Sequence, residues 1–220
     1  MRRALQFMWF ALVVRPIVRL VIGVSVYGKE RLRHDKPVII VANHNSHLDA
    51  LVLMDLLPRK CLFRTRPVAA ADYFQKHPMR RFIFEECMNA VPIRRDKVTK
   101  SSNPLTAMMD AMDQGSSLVI FPEGTRGEPE RMAELKTGIA HLIHKRPNVK
   151  VIPVFMRNLG FSLPRGDFVL VPMFCDVYVG KARTLTGSRP EIMAKLAESF
   201  QELRAIAERM RSQDTPADDW

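Results

Sequence analysis

The sequence predicts an α/β fold: a single domain with a largely buried mixed sheet flanked by helices, preceded by an N-terminal membrane-associating helical segment. Three observations carry that expectation. From Lys36 onward, short β-branched apolar runs alternate with helix-like stretches, the pattern of a sheet covered by helices. The last helix-like stretch repeats apolar residues at helical spacing. The chain opens basic and then turns strongly apolar.

The apolar opening has two parts, Ala4 to Val14 and Ile17 to Val26, interrupted by Arg15, Pro16 and Arg19. Neither part supplies the roughly 20 consecutive apolar residues of a simple transmembrane helix. The pattern instead predicts a helix, a kink at Pro16, and a second helix lying in or dipping into one leaflet. Trp9 would sit at interfacial depth, and Arg2, Arg3 and Arg19 would reach lipid phosphates. An ordinary buried N-terminal helix is the competing reading. Strands are expected at PVIIVAN, AVPIRR, SLVIFPEG and VKVIPVFM, with further β-like runs at FVLVPMF and DVYVGKA. Helices are expected from Leu48 to Leu57, ending at Pro58, and near Leu105 to Gln114 and Ala133 to His144. Pro190 marks the start of the last helix, whose core positions are Ile192, Leu196, Phe200, Leu203, Ile206 and Met210. This organises the chain into an N-terminal segment 1–30, a main domain 31–212 and a polar tail 213–220.

A chain of 220 residues supports one sizeable core, and 47% hydrophobic content is that of a folding sequence. The formal charge of +11 attracts polyanions: nucleic acid, anionic lipid or phosphorylated small molecules. Cys61, Cys87 and Cys175 are far apart, with no CxxC pair, and read as small buried hydrophobes rather than a disulfide framework or zinc site. No metal-ligand cluster is visible, and no cofactor is expected.

Two motifs carry chemistry. The run Asn43-His44-Asn45-Ser46-His47-Leu48-Asp49 lies where a strand ends and a helix begins, the usual ligand position in open α/β sheets. Ser46 capping the helix would put Asp49 in its first turn, from where the carboxylate can point back at His44. A carboxylate on one imidazole nitrogen fixes the tautomer and leaves the other as a base near neutral pH. A plain capping box with a satisfied loop histidine explains the spacing equally well. The second motif is Phe121-Pro122-Glu123-Gly124-Thr125-Arg126-Gly127. Its glycines free backbone N–H groups to approach an anion, Arg126 can grip a phosphate, and Glu123 could meet an acceptor hydroxyl. Read alone, it is as readily a polar turn. Pro92-Ile93-Arg94-Arg95 brings guanidinium groups to a strand end. Lys136 and Gly138 open a helical stretch whose N-terminus attracts phosphate.

Together these residues resemble the lysophospholipid acyltransferase family, the glycerolphosphate acyltransferase-like group. Asn43 to Asp49 matches its NHxSxxD block, and Phe121 to Arg126 matches FPEGTR without a change. Val91-Pro92-Ile93-Arg94 resembles the second block, and Val151-Ile152-Pro153-Val154-Phe155 the fourth. The likeness covers roughly residues 36 to 180. It implies transfer of a fatty acyl group from acyl-CoA or acyl-carrier protein to the free hydroxyl of a lysophospholipid. His44 would be the general base and Asp49 its orienting partner. Arg94, Glu123, Gly124, Thr125 and Arg126, with Lys136, would bind the glycerol-phosphate part of the acceptor. The default acceptor is 1-acylglycerol-3-phosphate, giving phosphatidic acid; another lysophospholipid or a lyso-aminolipid would use the same machinery. It also implies a site on an anionic membrane surface, at the cytoplasmic face of the inner or plasma membrane. A thioesterase would leave the phosphate-gripping block without purpose. A basic binder of membranes or nucleic acid would not need both His44 and Asp49, and no nucleic-acid-binding signature is present. Leu135 stands where an aromatic often precedes the lysine, and His141 and His144 have no assigned role.

Overall fold

The structure is a computed structural model that describes residues 2–46, 48–74, 77–94, 103–125, 132–162 and 174–214. Its centre is β2 (Val38–Ala42), five apolar residues that are all buried. Both faces of β2 are covered, so the strand reads as a continuous hydrophobic run. It pairs in parallel with β5 (Ser117–Ile120) on one side and β6 (Lys150–Arg157) on the other. Beyond β5 lie β3 (Thr65–Ala70) and then β4 (Val91–Ile93), also parallel. Beyond β6 come β7 (Cys175–Val179), antiparallel, and β1 (Val24–Tyr27), parallel to β7. A short β8 (Arg183–Thr184) also pairs with β6, antiparallel. The sheet is therefore mixed, with order β1-β7-β6-β2-β5-β3-β4.

Alternate residues of β2 feed two separate cores. Val38, Ile40 and Ala42 pack with Val52 and Leu53 of α2 (Asp49–Leu56) and with Phe10, Val14 and Val18 of the N-terminal helix. Ile39 and Val41 pack with α4 (Pro104–Asp113), α5 (Gly138–Lys145) and α6 (Arg189–Asp214). On α6 the buried row is Ile192, Leu196, Phe200, Leu203 and Ala207, while Ile206, expected in the core, is 37% exposed. A five-residue helix, α3 (Pro78–Phe82), precedes β4.

The N-terminal segment differs from the expected pair of helices. Its helical backbone runs from α1 (Arg2–Trp9) through π-helical stretches at Phe10–Val14 and Ile17–Val21. Pro16 keeps helical dihedrals between them; its missing N–H is one the widened turns can do without. The apolar run then changes structure: Val24–Tyr27 is strand, because its backbone finds a parallel partner in β7. Phe10, Val14, Val18 and Ile22 are buried, whereas Leu12 and Leu20 are 72% and 84% exposed. Trp9 packs against the inner core rather than outward, and Arg2 pairs with Glu86 at 3.1 Å rather than standing free. Among the described residues no helix is long and apolar enough to cross a membrane. The expected FVLVPMF strand falls almost wholly on residues outside those described. All three cysteines are buried and unbridged.

Under the N-terminal ends of β2 and β5, one imidazole closes a small polar network. Ser117 Oγ accepts the Val38 N–H at 3.1 Å and lies 2.9 Å from His34 Nε2. His34 Nδ1 lies 2.9 Å from the carbonyl of Leu32, which can only accept, so Nδ1 carries the hydrogen and Nε2 accepts from the serine hydroxyl. Burial pushes the His34 pKa below its usual 6.5; the Leu32 carbonyl and Asp35 oppose this and Arg64 assists it. The unfolded chain therefore binds more protons just below pH 6.5, and stability there rises with pH. The expected outcome is stability that is full above pH 6.5 and declines as pH falls below it. In His34→Gln that decline is smaller, as read by urea unfolding on both sides of pH 6.5.

Candidate active site

The two motifs leave adjacent parallel strands at their carboxyl ends: the first follows β2 and the second follows β5. The sheet has thus brought together residues about eighty positions apart. His44 N–H donates to Glu123 Oε1 at 2.7 Å, bridging the motifs directly.

The loop after β2 is held almost atom by atom. Asn43 is 1% exposed and its side-chain amide acts as a further strand residue: Nδ2 donates to Met156 O and Oδ1 accepts Met156 N–H, both at 2.7 Å. Asp49, also 1% exposed, opens α2 and points back along the chain. Its Oδ2 accepts the N–H groups of Asn45 at 2.7 Å and Ser46 at 2.8 Å. The same oxygen lies 2.9 Å from His44 Nδ1. The carboxylate is the acceptor, so Nδ1 carries the hydrogen and Nε2 keeps its lone pair. The expected pairing of His44 with Asp49 is thus present in the geometry. The expected Ser46 cap is not: Ser46 Oγ accepts the Leu48 N–H at 3.3 Å, and Leu48 precedes the first turn without a side-chain cap. The acidic half of the capping box is used, while the hydroxyl turns to a shorter-range partner. His47 lies outside the described residues.

The His44 ring stacks on Phe121 with centroids 4.3 Å apart and planes at 25°. This leaves the imidazole side chain 21% exposed, at the wall of a cavity of about 720 Å³. Val68, Phe84, Met108, Ile120 and Ile139 give that cavity apolar walls, and Gly124, Thr125 and Lys136 give it a polar side. Gly124 has φ +72°, and a Cβ there would come within 2.9 Å of the Lys136 side chain. The left-handed backbone favours glycine here, and the end of the Lys136 side chain lies over it. Lys136 N–H in turn donates to Pro122 O at 2.9 Å. Arg94 is exposed at the end of β4, beside the cavity-lining Ile93. Arg126, Arg95 and Gly127 lie outside the described residues.

Glu123 behaves differently from expectation. It is 2% exposed, and both oxygens are taken by backbone, Oε1 by His44 N–H and Oε2 by Ala133 N–H, each at 2.7 Å. Burial pushes its pKa above the ordinary carboxylate range; the Ala133 and His44 N–H groups and the His44 charge pull it down, and Asp49 adds to the rise. Residues 132–136 are not the helix start predicted from Ala133, because their N–H groups serve Glu123 and Pro122 O; α5 begins only at Gly138. His141 and His144 contact Arg189 and the Gly187 carbonyl, away from the cavity.

An acyltransferase family model matches residues 23–157, well over half of the chain and both motifs. The chain belongs to the acyltransferase family. The chloroplastic 1-acyl-sn-glycerol-3-phosphate acyltransferase LPAT1 of Arabidopsis thaliana is 25% identical over 200 residues, covering 88% of this chain and 52% of that protein. A 1-acyl-sn-glycerol-3-phosphate acyltransferase of Chlamydomonas reinhardtii is 30% identical over 166 residues, 72% of this chain and 46% of that one. The mouse alpha enzyme of the same name is 27% identical over 185 residues, 82% and 61% respectively. The chain thus spans about half the length of most of these relatives. In fold it matches the crystal structure of the 1-acyl-sn-glycerophosphate acyltransferase PlsC from Thermotoga maritima. The TM-score is 0.75 at 20% identity, covering 94% of this chain and 81% of that one.

Asn43 and Phe121 take part in the site although their motifs assign neither a chemical task. The signal for Asn43 was a lone amide, able both to donate and to accept, closing an apolar strand. Replacing it with alanine strands a buried N–H and C=O of Met156. Asn43→Ala is therefore expected to destabilise the protein by about 2 kcal/mol, measured by denaturant unfolding.

Proposed function

We propose that this protein transfers a fatty acyl group from a thioester, acyl-CoA or acyl-carrier protein, to the free hydroxyl of 1-acylglycerol-3-phosphate, giving phosphatidic acid. The observation that carries this reading is the His44–Asp49 pair beside a mostly apolar cavity of about 720 Å³. With Nδ1 committed to a buried carboxylate, Nε2 is the nitrogen left for substrate.

In this reading the acceptor hydroxyl donates to Nε2, which takes the proton as the oxygen attacks the thioester carbonyl. The tetrahedral intermediate collapses by breaking the C–S bond. The departing thiolate recovers the proton from the imidazolium, while Asp49 stabilises the charge that His44 carries in between. The acceptor oxygen is itself the nucleophile, so no acyl-enzyme forms; holding both substrates in register supplies much of the rate. The apolar walls suit an acyl chain. Lys136, the Gly124–Thr125 backbone, Arg94 and Arg126 are proposed to bind the acceptor phosphate.

The same reading puts the enzyme at a membrane. Leu12, Leu20, Met79 and Phe82 are more than half exposed, and a charge of +11 favours an anionic, cytoplasm-facing leaflet. The N-terminal helix would then lie on the bilayer by one apolar stripe while the opposite stripe stays in the core.

The test is acyl transfer by detergent-purified protein from labelled acyl-CoA, and separately acyl-carrier protein, to a panel of lysophospholipids. Transfer to 1-acylglycerol-3-phosphate is expected, reduced about 10²-fold or more in His44→Ala and in Asp49→Asn. Asp49→Asn should fold normally, because an amide oxygen can still accept the Asn45 and Ser46 N–H groups. No transfer from either donor would refute the proposal. Lys136→Ala should raise the acceptor KM about tenfold, the loss of one charge-assisted phosphate contact, and leave the donor KM unchanged.

A further inference from the structure

We infer that Glu123 is a positioning residue: its carboxylate ties the backbone of the His44 loop to the segment that carries Lys136, and it does not ligate the acceptor. This rests on the acyltransferase reading above and reassigns one residue of the site.

The geometry is a two-armed clamp. Oε1 holds the N–H of the proposed base, and Oε2 holds the N–H of Ala133, ten residues further along the chain. A hydroxyl seeking either oxygen would have to enter a position where the residue is 2% exposed. Three residues beyond Ala133, Lys136 is fixed a second time through its own N–H to Pro122 O, and its stem passes over the Cβ-less Gly124. The two functions of the site therefore meet in one side chain. One arm sets where the His44 backbone, and with it the imidazole, stands. The other sets where the Lys136 ammonium stands.

The ionised acid suits this task for a chemical reason. Two N–H donors point at the same group, so both of its heteroatoms must accept. A glutamine presents an NH₂ to one of the two N–H groups and loses that arm. An aspartate is one methylene too short to keep both. Removing either arm lets the His44 loop and the lysine segment move apart without removing a group that touches substrate.

The experiment separates kcat from KM in Glu123→Gln. A positioning role predicts that kcat falls about 10²-fold, the cost of a base displaced by about an ångström. The donor KM should stay within about threefold of wild type, and any rise in acceptor KM should not exceed that of Lys136→Ala. An acceptor KM raised tenfold or more with kcat nearly intact would overturn the inference, since that is the signature of a lost ligand. A melting curve accompanies the kinetics. If Glu123→Gln does not fold, Ala133→Pro decides, because it deletes one N–H and leaves the carboxylate in place to meet any acceptor. With the carboxylate still in place, a raised acceptor KM or a reduced kcat supports the clamp, and wild-type kinetics refute it. Failure of the acyltransferase reading is distinguishable, as it would appear as absence of transfer by the wild-type enzyme itself.

Discussion

The peptide N–H of His44 emerges from a strand buried on both faces, where water is scarce and a lost hydrogen bond is costly. Much of the site follows from how that stretch of backbone is satisfied. Asn43 closes the pairing with β6 by using its side chain on Met156. His44 N–H goes to Glu123, and the next two N–H groups go to Asp49. Partners for this short loop come from β6, from the turn after β5 and from the first turn of α2. The imidazole is aimed because the chain beneath it has no freedom left.

That accounting requires β2 and β5 to be neighbours, with both ends facing the same way. Parallel pairing in register, Ile39 with Leu118 and Val41 with Ile120, achieves this. Two strands separated by two others in the sequence then deliver their loops to one edge, where open α/β sheets gather ligands. Phe121, the first residue beyond β5, stacks on the ring, and Glu123, two residues later, reaches the loop backbone.

The N-terminal helix belongs to the same mechanical unit. Arg15 pairs with Asp55 at 3.1 Å, near the far end of the helix that Asp49 begins. Arg59 stacks over Phe7 at 4.4 Å from the ring centre. The segment is thus fastened to the face of the sheet that α2 covers by its buried stripe and by charged contacts, while Leu12 and Leu20 remain exposed.

Several elements were legible in the sequence because their cause is local. β2, β5 and β6 are β-branched runs that no solvent-facing structure would tolerate. The helix Arg189–Asp214 follows from apolar spacing and Pro190, and the His44–Asp49 pair lies within one turn of chain. Elements with a distant cause were not legible. Thr65–Ala70 carries Arg66, Pro67 and two alanines and is a strand only because β5 and β4 flank it. Val24–Tyr27 ends an apolar run that reads as helix, and β7 makes it a strand. The composition of residues 133–137 permits a helix, but the N–H groups of Ala133 and Lys136 are claimed by Glu123 and Pro122 O.

The sequence by itself determined the layered α/β architecture, the order of the motifs and the pairing of His44 with Asp49. These depend on hydrophobic periodicity and on side chains a few positions apart. Only the tertiary structure decided what Glu123 does. A sequence shows which groups can donate or accept a hydrogen bond. Which of them meet inside a closed core depends on strand order and register, and those are properties of the whole sheet.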